Sequence, residues 1–200
     1  MKYGELTLGH VEAVVNKLGG MEGVQKFLSG ELTVSESESP WYINNGVIHF
    51  AVTSDGTTGE EWIKRLRDQG VFVNLDTESI LLSPDFKPTN GVTTVVEALE
   101  GSFFSEEERN TTEIRAEAQR QGWQQPNAEV ACLMCERLTP EDMKAIDLAW
   151  IIVMHEPIKS SDGTLNLLSM GRSNLIHAYS GDYSFIWRKK CGFAFAVPQE

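Results

Sequence analysis

Two hundred residues, 41% of them hydrophobic and 23% charged, describe an ordinary globular chain with room for one good-sized domain or two small ones. Seventeen basic against 29 acidic residues leave a formal charge of -12. Sequence-independent binding to DNA, RNA or anionic lipid is therefore not expected, because clustered Lys and Arg make those contacts.

No apolar run approaches the roughly 18 residues of a membrane span. The opening MKYGELTLGHVEAVV has no basic stretch followed by an apolar one, so Sec export is not expected. Three cysteines without framework spacing fit a reducing compartment. The expectation is a cytoplasmic chain without membrane insertion, with surface display by another route left open.

Residues 1–32 read as a helical hairpin. Val11, Val14, Val15 and Leu18 recur at helical spacing before Gly19-Gly20, and Met21, Val24, Phe27 and Leu28 share one face before Gly30. Two helices at a glycine turn also describe a DNA-reading unit, but the second helix offers only Lys26, in an acidic chain. A packing or oligomerisation module is the better reading, and a homo-oligomer is compatible with it.

VSESESP marks a linker over 33–45. A small α/β segment over 46–90 follows in the order strand, turn, helix, strand. Val47 opens a β-branched and aromatic strand, Ser54-Asp55-Gly56 turns, and Thr58 with Glu61 makes a capping box ahead of Trp62, Ile63 and Leu66. A short helix over 78–82 ends at Ser83-Pro84, and two prolines with an Asn-Gly over 84–91 suggest a second boundary.

GVTTVVEALEG reads as a strand. Ser105, with Glu108 three residues on, predicts a helix running from 105 to Gly122, and NAEVACLMCERL predicts another. Thr139, Pro140 and Asp142 open a third. AWIIVMH is a strand buried on both faces, and GFAFAV closes the chain after turns and a long irregular stretch. The plan is α+β.

Motifs that carry chemistry are sparse. Cys132-x-x-Cys135 has no second CxxC or His pair for zinc, and it lies inside a helix, so core packing accounts for it. His155-Glu156 could be a base with its partner or two metal ligands, but it lacks a nucleophile or third ligand, so a hydrogen-bonded strand end is preferred. Ser54-Asp55-Gly56 and Ser161-Asp162-Gly163 are turn chemistry more than calcium loops. No nucleophile elbow, P-loop or dinucleotide fingerprint is present. Neither an enzyme nor a cofactor is expected. The rival reading is a small intracellular metal-dependent hydrolase using His155, Glu156 and Asp162.

GRSNLIHAYSGDYSFIW, over 171–187, is rich in Tyr, Ser, Gly, Asn and Asp with Phe and Trp beside them, the palette of binding loops. From 171 to 186 there is also no Lys, Glu, Gln, Met or Trp, the residues beyond reach of codons ending in a pyrimidine.

That run, followed by Trp187 and then Cys191-Gly192-Phe193-Ala194-Phe195-Ala196-Val197, resembles the C-terminus of the variable proteins of bacterial diversity-generating retroelements. Upstream, EIRAEAQRQGWQQPNAEVACL is similar to the two-helix segment of the formylglycine-enzyme-like branch of that fold, with Ala118, Gly122, Pro126 and Glu129 in the matching places. The departures are Gln124-Gln125-Pro126-Asn127 where Arg-Leu-Pro-Thr is usual, and Ala194 where an arginine follows Gly-Phe. Lys189 and Lys190, which AAY-codon mutagenesis cannot produce, would be scaffold. LGGMEGVQKFLSGE resembles a segment of uncharacterised bacterial proteins, and formylglycine-generating chemistry is not implied.

The resemblance implies a C-type-lectin-like domain over 91–200 whose hypervariable C-terminal region is rewritten at AAY codons to bind variable ligands. Such a ligand would be a protein or cell-surface molecule rather than nucleic acid. Tyr179, Tyr183 and Phe185 would be aromatic anchors, Ser173, Asn174, His177, Ser180 and Asp182 polar contacts, and Ile176 either. Trp187, Gly192 and Phe193 would be scaffold.

Overall fold

The structure is a computed structural model that describes residues 7–32, 41–44, 47–181 and 185–198. Residues 33–40 of the expected linker, together with Asp182 and Tyr183, lie outside the described residues. The chain divides into two compact units, Met1–Glu38 and Ser39–Glu200.

The first unit is the expected hairpin, α1 (Leu8–Lys17) and α2 (Gly20–Leu28). Gly19 and Gly20 both take the left-handed conformation, with φ of 87° and 82°, which reverses the chain between the helices. Gly23 is obligatory for a different reason. A Cβ there would stand 1.5 Å from the Leu18 carbonyl oxygen, so only glycine lets α2 follow the turn so closely.

The second unit is α+β, built on a mixed sheet. Its strands are β1 (Trp41–Asn44), β2 (Val47–Asp55), β3 (Phe72–Val73), β4 (Asn90–Glu100), β5 (Trp150–Val153), β6 (Ile158–Lys159), β7 (Leu165–Gly171), β8 (Leu175–Ser180) and β9 (Cys191–Val197). Among the described residues they lie in the order β1-β2-β4-β9-β5-β7-β8-β3, with β6 beside β7. Among the described residues only β9 with β5 and β3 with β8 run parallel. β1 corrects the end of the expected linker, since Trp41–Asn44 pairs antiparallel with β2. The boundary expected at 84–91 does not divide the chain either. β2 pairs with β4 along nearly its whole length, so the segments either side of that stretch share one sheet.

Helices cover both faces. Against one face lie α3 (Gly59–Asp68), α4 (Leu75–Leu81) and α6 (Val130–Arg137), which bury Trp62, Leu66, Leu81 and Met134 on Ile48, Val96, Ile151, Leu168 and Ala194. Against the other lies α5 (Thr111–Arg120), whose Ile114 and Ala118 meet Ile152, Leu167, Phe193 and Phe195. The two-residue period of β9 sorts its side chains, Phe193 and Phe195 to the α5 side and Ala194 to the other. Ala194 is fully buried, so the arginine that the resemblance leads one to expect has no room there.

The capping boxes at Thr58/Glu61 and at Thr139/Asp142, which opens α7 (Pro140–Ala145), form as expected. The helix expected from Ser105 begins later. Ser105 and Glu108 do exchange reciprocal hydrogen bonds, but these close a turn, and α5 starts at Thr111 with Asn110 Oδ1 accepting from the Glu113 amide. Nor is the stretch after β5 irregular. β7 and β8 form an antiparallel hairpin through a turn at 172–174, where Asn174 takes a left-handed φ of 55°. β7 escapes sequence reading because 166–171 are buried on both faces and show no alternation.

Because Asn110 is the N-cap, Asn110→Ala should cost about 1 kcal/mol in denaturant unfolding. Ser105→Ala, outside the helix, should cost clearly less.

Candidate functional site

The alternation of β8 decides which of the candidate binding residues reach a surface. Ile176 and Ala178 point into the helix-covered core, Ile176 with 0% exposure, whereas His177 and Tyr179 point to the other side and stay half-buried. Ile176 is therefore corrected from ligand contact to core residue. Asn174 is also structural in part. Its left-handed backbone makes the β7–β8 turn, and its Nδ2 donates to the Gly70 carbonyl at 2.9 Å, tying that turn to the end of α3. Ser173, in the β7–β8 turn, and Ser180, at the end of β8, are exposed.

Around His177 and Tyr179 the structure assembles an aromatic cluster that sequence reading only half anticipates. Trp150, at the start of β5, is paired with Gly171. A Cβ on Gly171 would come within 2.7 Å of the indole, so the glycine lets Trp150 lie across β7 towards β8. Trp150 then meets His177 at 5.9 Å and Tyr179 at 5.2 Å, both edge-to-face. Tyr179 continues to Trp187 at 5.7 Å, and Trp187 to Phe185 at 4.8 Å and to the core Phe193 at 5.9 Å. Such pairs contribute roughly 0.5–1.5 kcal/mol each beyond area burial. The signal that could have found Trp150 is a large indole opening an otherwise aliphatic strand. What hid it is its distance in sequence from the Tyr-rich run.

The cluster is graded from buried to open. Trp187 is buried, its amide donating to the Arg109 carbonyl at 2.7 Å and its Nε1 to Thr111 Oγ1 at 3.0 Å. Outward of it, Phe185 and Ile186 are 43% and 47% exposed. His177 Nδ1 is buried there and makes no hydrogen bond, an unusual state for a buried polar atom. Arg109 Nη1 donates to the Trp187 carbonyl, so a cation borders this aromatic ground in an acidic chain. Burial pushes the Tyr179 phenol above its ordinary range and the nearby Cys191 thiol adds to that, while Arg188 opposes both.

Of the groups weighed for catalysis, His155, Asp162 and the cysteines are committed to the fold, whereas Glu156 is exposed beside His155. His155 is buried at the end of β5, with Nδ1 2.6 Å from the Glu156 carbonyl oxygen and Nε2 accepting from the Leu168 amide at 2.9 Å. Both ring nitrogens are therefore held by backbone. Asp162 accepts from Ser160 and twice from Thr164, closing its own turn, and Asp55 does the same with Thr57 besides pairing with Arg65. Cys132 and Cys135 are buried free thiols in α6, and burial pushes Cys132 well above the ordinary thiol range and Cys135 up to about 12. Among the described residues, no three His, Cys, Asp or Glu side chains converge to hold a metal ion, and no helix is long and apolar enough to cross a membrane.

Comparison with known proteins returns no matching family model, no similar curated protein and no similar solved structure.

Burial pushes the His155 pKa down to about 4, only partly offset by its bond to the Glu156 carbonyl. The folded state thus resists a proton that the unfolded chain accepts near pH 6.5, and folding stability should fall as pH drops through the window from 6.5 to 4, by about 1.4 kcal/mol per unit. Denaturant midpoints across that window should show the slope in the wild type and a flatter one in His155→Gln.

Proposed function

We propose that this chain is a non-enzymatic binding protein whose aromatic surface around His177, Tyr179 and Phe185 takes up a protein ligand. The observation that carries this is the interlocked set of Trp150, His177, Tyr179, Trp187 and Phe185, anchored in the core at Trp187 and open to solvent at Phe185. Buried anchors that hold half-exposed aromatics in place present contact area at low entropic cost, which is what recognition surfaces need. Arg109, whose Nη1 donates to the Trp187 carbonyl, adds positive character beside the rings.

In this reading 91–200 supplies the C-type-lectin-like part of the second unit, sharing its sheet with the segment before it, and 171–186 is the diversified region, as the resemblance to retroelement variable proteins implies. In support, β4, three helices and the returning strands follow an α+β course that β9 closes by pairing on β4. The stations for variation are Ser173, His177, Tyr179, Ser180 and Phe185, with Ile176 and Ala178 held constant by burial. Asp182 and Tyr183 belong to the proposed region by sequence alone.

Sequencing the 3′ end of the gene across the source population tests this. The expected result is substitution at the codons of those stations, with 176 staying apolar, beside a near-copy carrying adenines at the variable codons and a reverse-transcriptase gene. An invariant 3′ end with no near-copy would overturn the reading.

In the protein, Ile176→Asn should lose ~4 kcal/mol or fail to fold, since it opens a cavity and buries an amide. Phe185→Asn should lose no more than about 1 kcal/mol. Thermal unfolding of the two variants measures the difference.

A further inference from the structure

On the α5 side of the sheet a cavity of about 280 Å³ opens between α5, the segment that follows it and β9. Its buried lining is apolar, Ala118 of α5 and Phe195 of β9. Trp123 lines it half-buried, with its ring tilted 37° to that of Phe195 at 6.2 Å. Backbone holds this indole in place. The Trp123 amide donates to the Ala118 carbonyl at 2.9 Å, and Gln124 exchanges two backbone hydrogen bonds with Ala196 of β9. Arg115 and Gln119, one turn apart on α5, complete the lining together with Gln124 and Gln125.

Among the described residues Arg115 is the one charged side chain that lines this cavity, in a chain of 29 acidic against 17 basic residues. Other cavities of this unit mix both signs. One sets Asp55, Glu61 and Asp68 around Lys64 and Arg65, and another sets Asp85 and Glu156 around Lys87. Carboxylates beside the Arg115 cavity are engaged with other groups. Glu117 accepts from Arg120 and Gln121, and Glu97, the cross-strand partner of Phe195, pairs with His49 at 3.0 Å. The Gln125 amide stands between Arg115 and Glu156, its oxygen accepting from the guanidinium and its nitrogen donating to the carboxylate. With Nη2 of Arg115 donating to the His155 carbonyl at 2.8 Å, these bonds fix the plane of the half-buried guanidinium.

We propose that this cavity binds a small aromatic carboxylate, its ring against Trp123 and Phe195 and its acid group on Arg115. A held guanidinium matches the two oxygens of a carboxylate, and the bond is stronger beside apolar walls than in open water. The indole and the Phe195 ring offer the edge and face contacts that an aromatic ring prefers. Gln119 and Gln124 are exposed at the rim, where their amides can donate to the same oxygens. The volume lies just under the roughly 300–1,000 Å³ of sites for drug-sized molecules, which suits a single ring with its acid group. The site shares no residue with the proposed protein-binding surface and does not depend on it.

The test is a nuclear magnetic resonance titration of the full chain with benzoate at low salt, following the Trp123 indole signal, which its absence from Trp123→Phe assigns. That signal should move and saturate in the millimolar range. Benzamide, the same ring without the charge, should bind about tenfold more weakly, and cyclohexanecarboxylate, the same charge without the aromatic ring, several-fold more weakly. Arg115→Gln should cost benzoate about tenfold in affinity. Because Arg115 also holds the His155 carbonyl, that variant may unfold, and the exposed Gln119 then decides. Gln119→Lys should tighten benzoate by about threefold and Gln119→Glu should weaken it by as much, with benzamide unmoved, since all three residues suit a helix. A Trp123 signal that benzoate leaves in place overturns the proposal. So does benzamide binding as well as benzoate, or benzoate binding that the two Gln119 variants leave unchanged, since either result takes the guanidinium out of the site.

Discussion

The insertion of the last strand into the middle of the sheet is the constraint on which the second unit depends. β9 lies between β4, antiparallel, and β5, parallel, so the C-terminal residues join strands from early and late in the chain. Its residues are buried from Cys191 to Phe195 and serve both faces, Phe193 and Phe195 towards α5 and Ala194 towards the opposite core. Everything that precedes β9 is thereby positioned. The chain leaving β8 at the flank must return to the centre, and Trp187, held by Arg109 and Thr111, fixes where it enters. A strand whose contacts are nearly all distant in sequence makes formation of this unit a late, cooperative event.

The proposed binding surface inherits its rigidity from that arrangement. Its aromatic side chains come from β5, β8 and the segment entering β9, and Gly171 on β7 leaves the room that lets Trp150 bridge them. Sites carried on strands hold geometry better than sites on free loops. Strands also ration variation, because Ile176 and Ala178 of β8 belong to the core. The proposed surface is then a set of stations interrupted by core positions, not a continuous run.

The sequence made local features legible wherever side chain and backbone chemistry coincide. The capping boxes at Thr58 and Thr139, the double-glycine turn of the hairpin and the apolar run of β5 all form as read. Errors arose where local signals were sound but answered to something distant. Ser105 and Glu108 do pair, yet the helix waits for Asn110, because Asn110 and Arg109 bridge to Ile186 and Trp187 across the sheet end. The Tyr- and Ser-rich stretch looks like a loop by composition, but its backbone over 175–180 pairs with β7, whose own burial on both faces erases the alternation that would have revealed the hairpin. For the site, Tyr179 and Phe185 are visible as aromatics among small polar residues. Trp150 and Gly171 are not, because their part follows from a strand order that no short window contains.

The central claim is that an alternating, sheet-borne aromatic surface separates positions free to vary from positions that hold the fold. A saturation-substitution scan of 171–187, read by the fraction of each variant that resists proteolysis, tests it most directly. Positions 173, 177, 179, 180 and 185 should accept polar and apolar residues alike, while 171, 176, 178 and 187 should accept almost none. Uniform tolerance across the run would contradict the account by making it a free loop, and uniform intolerance would make it core.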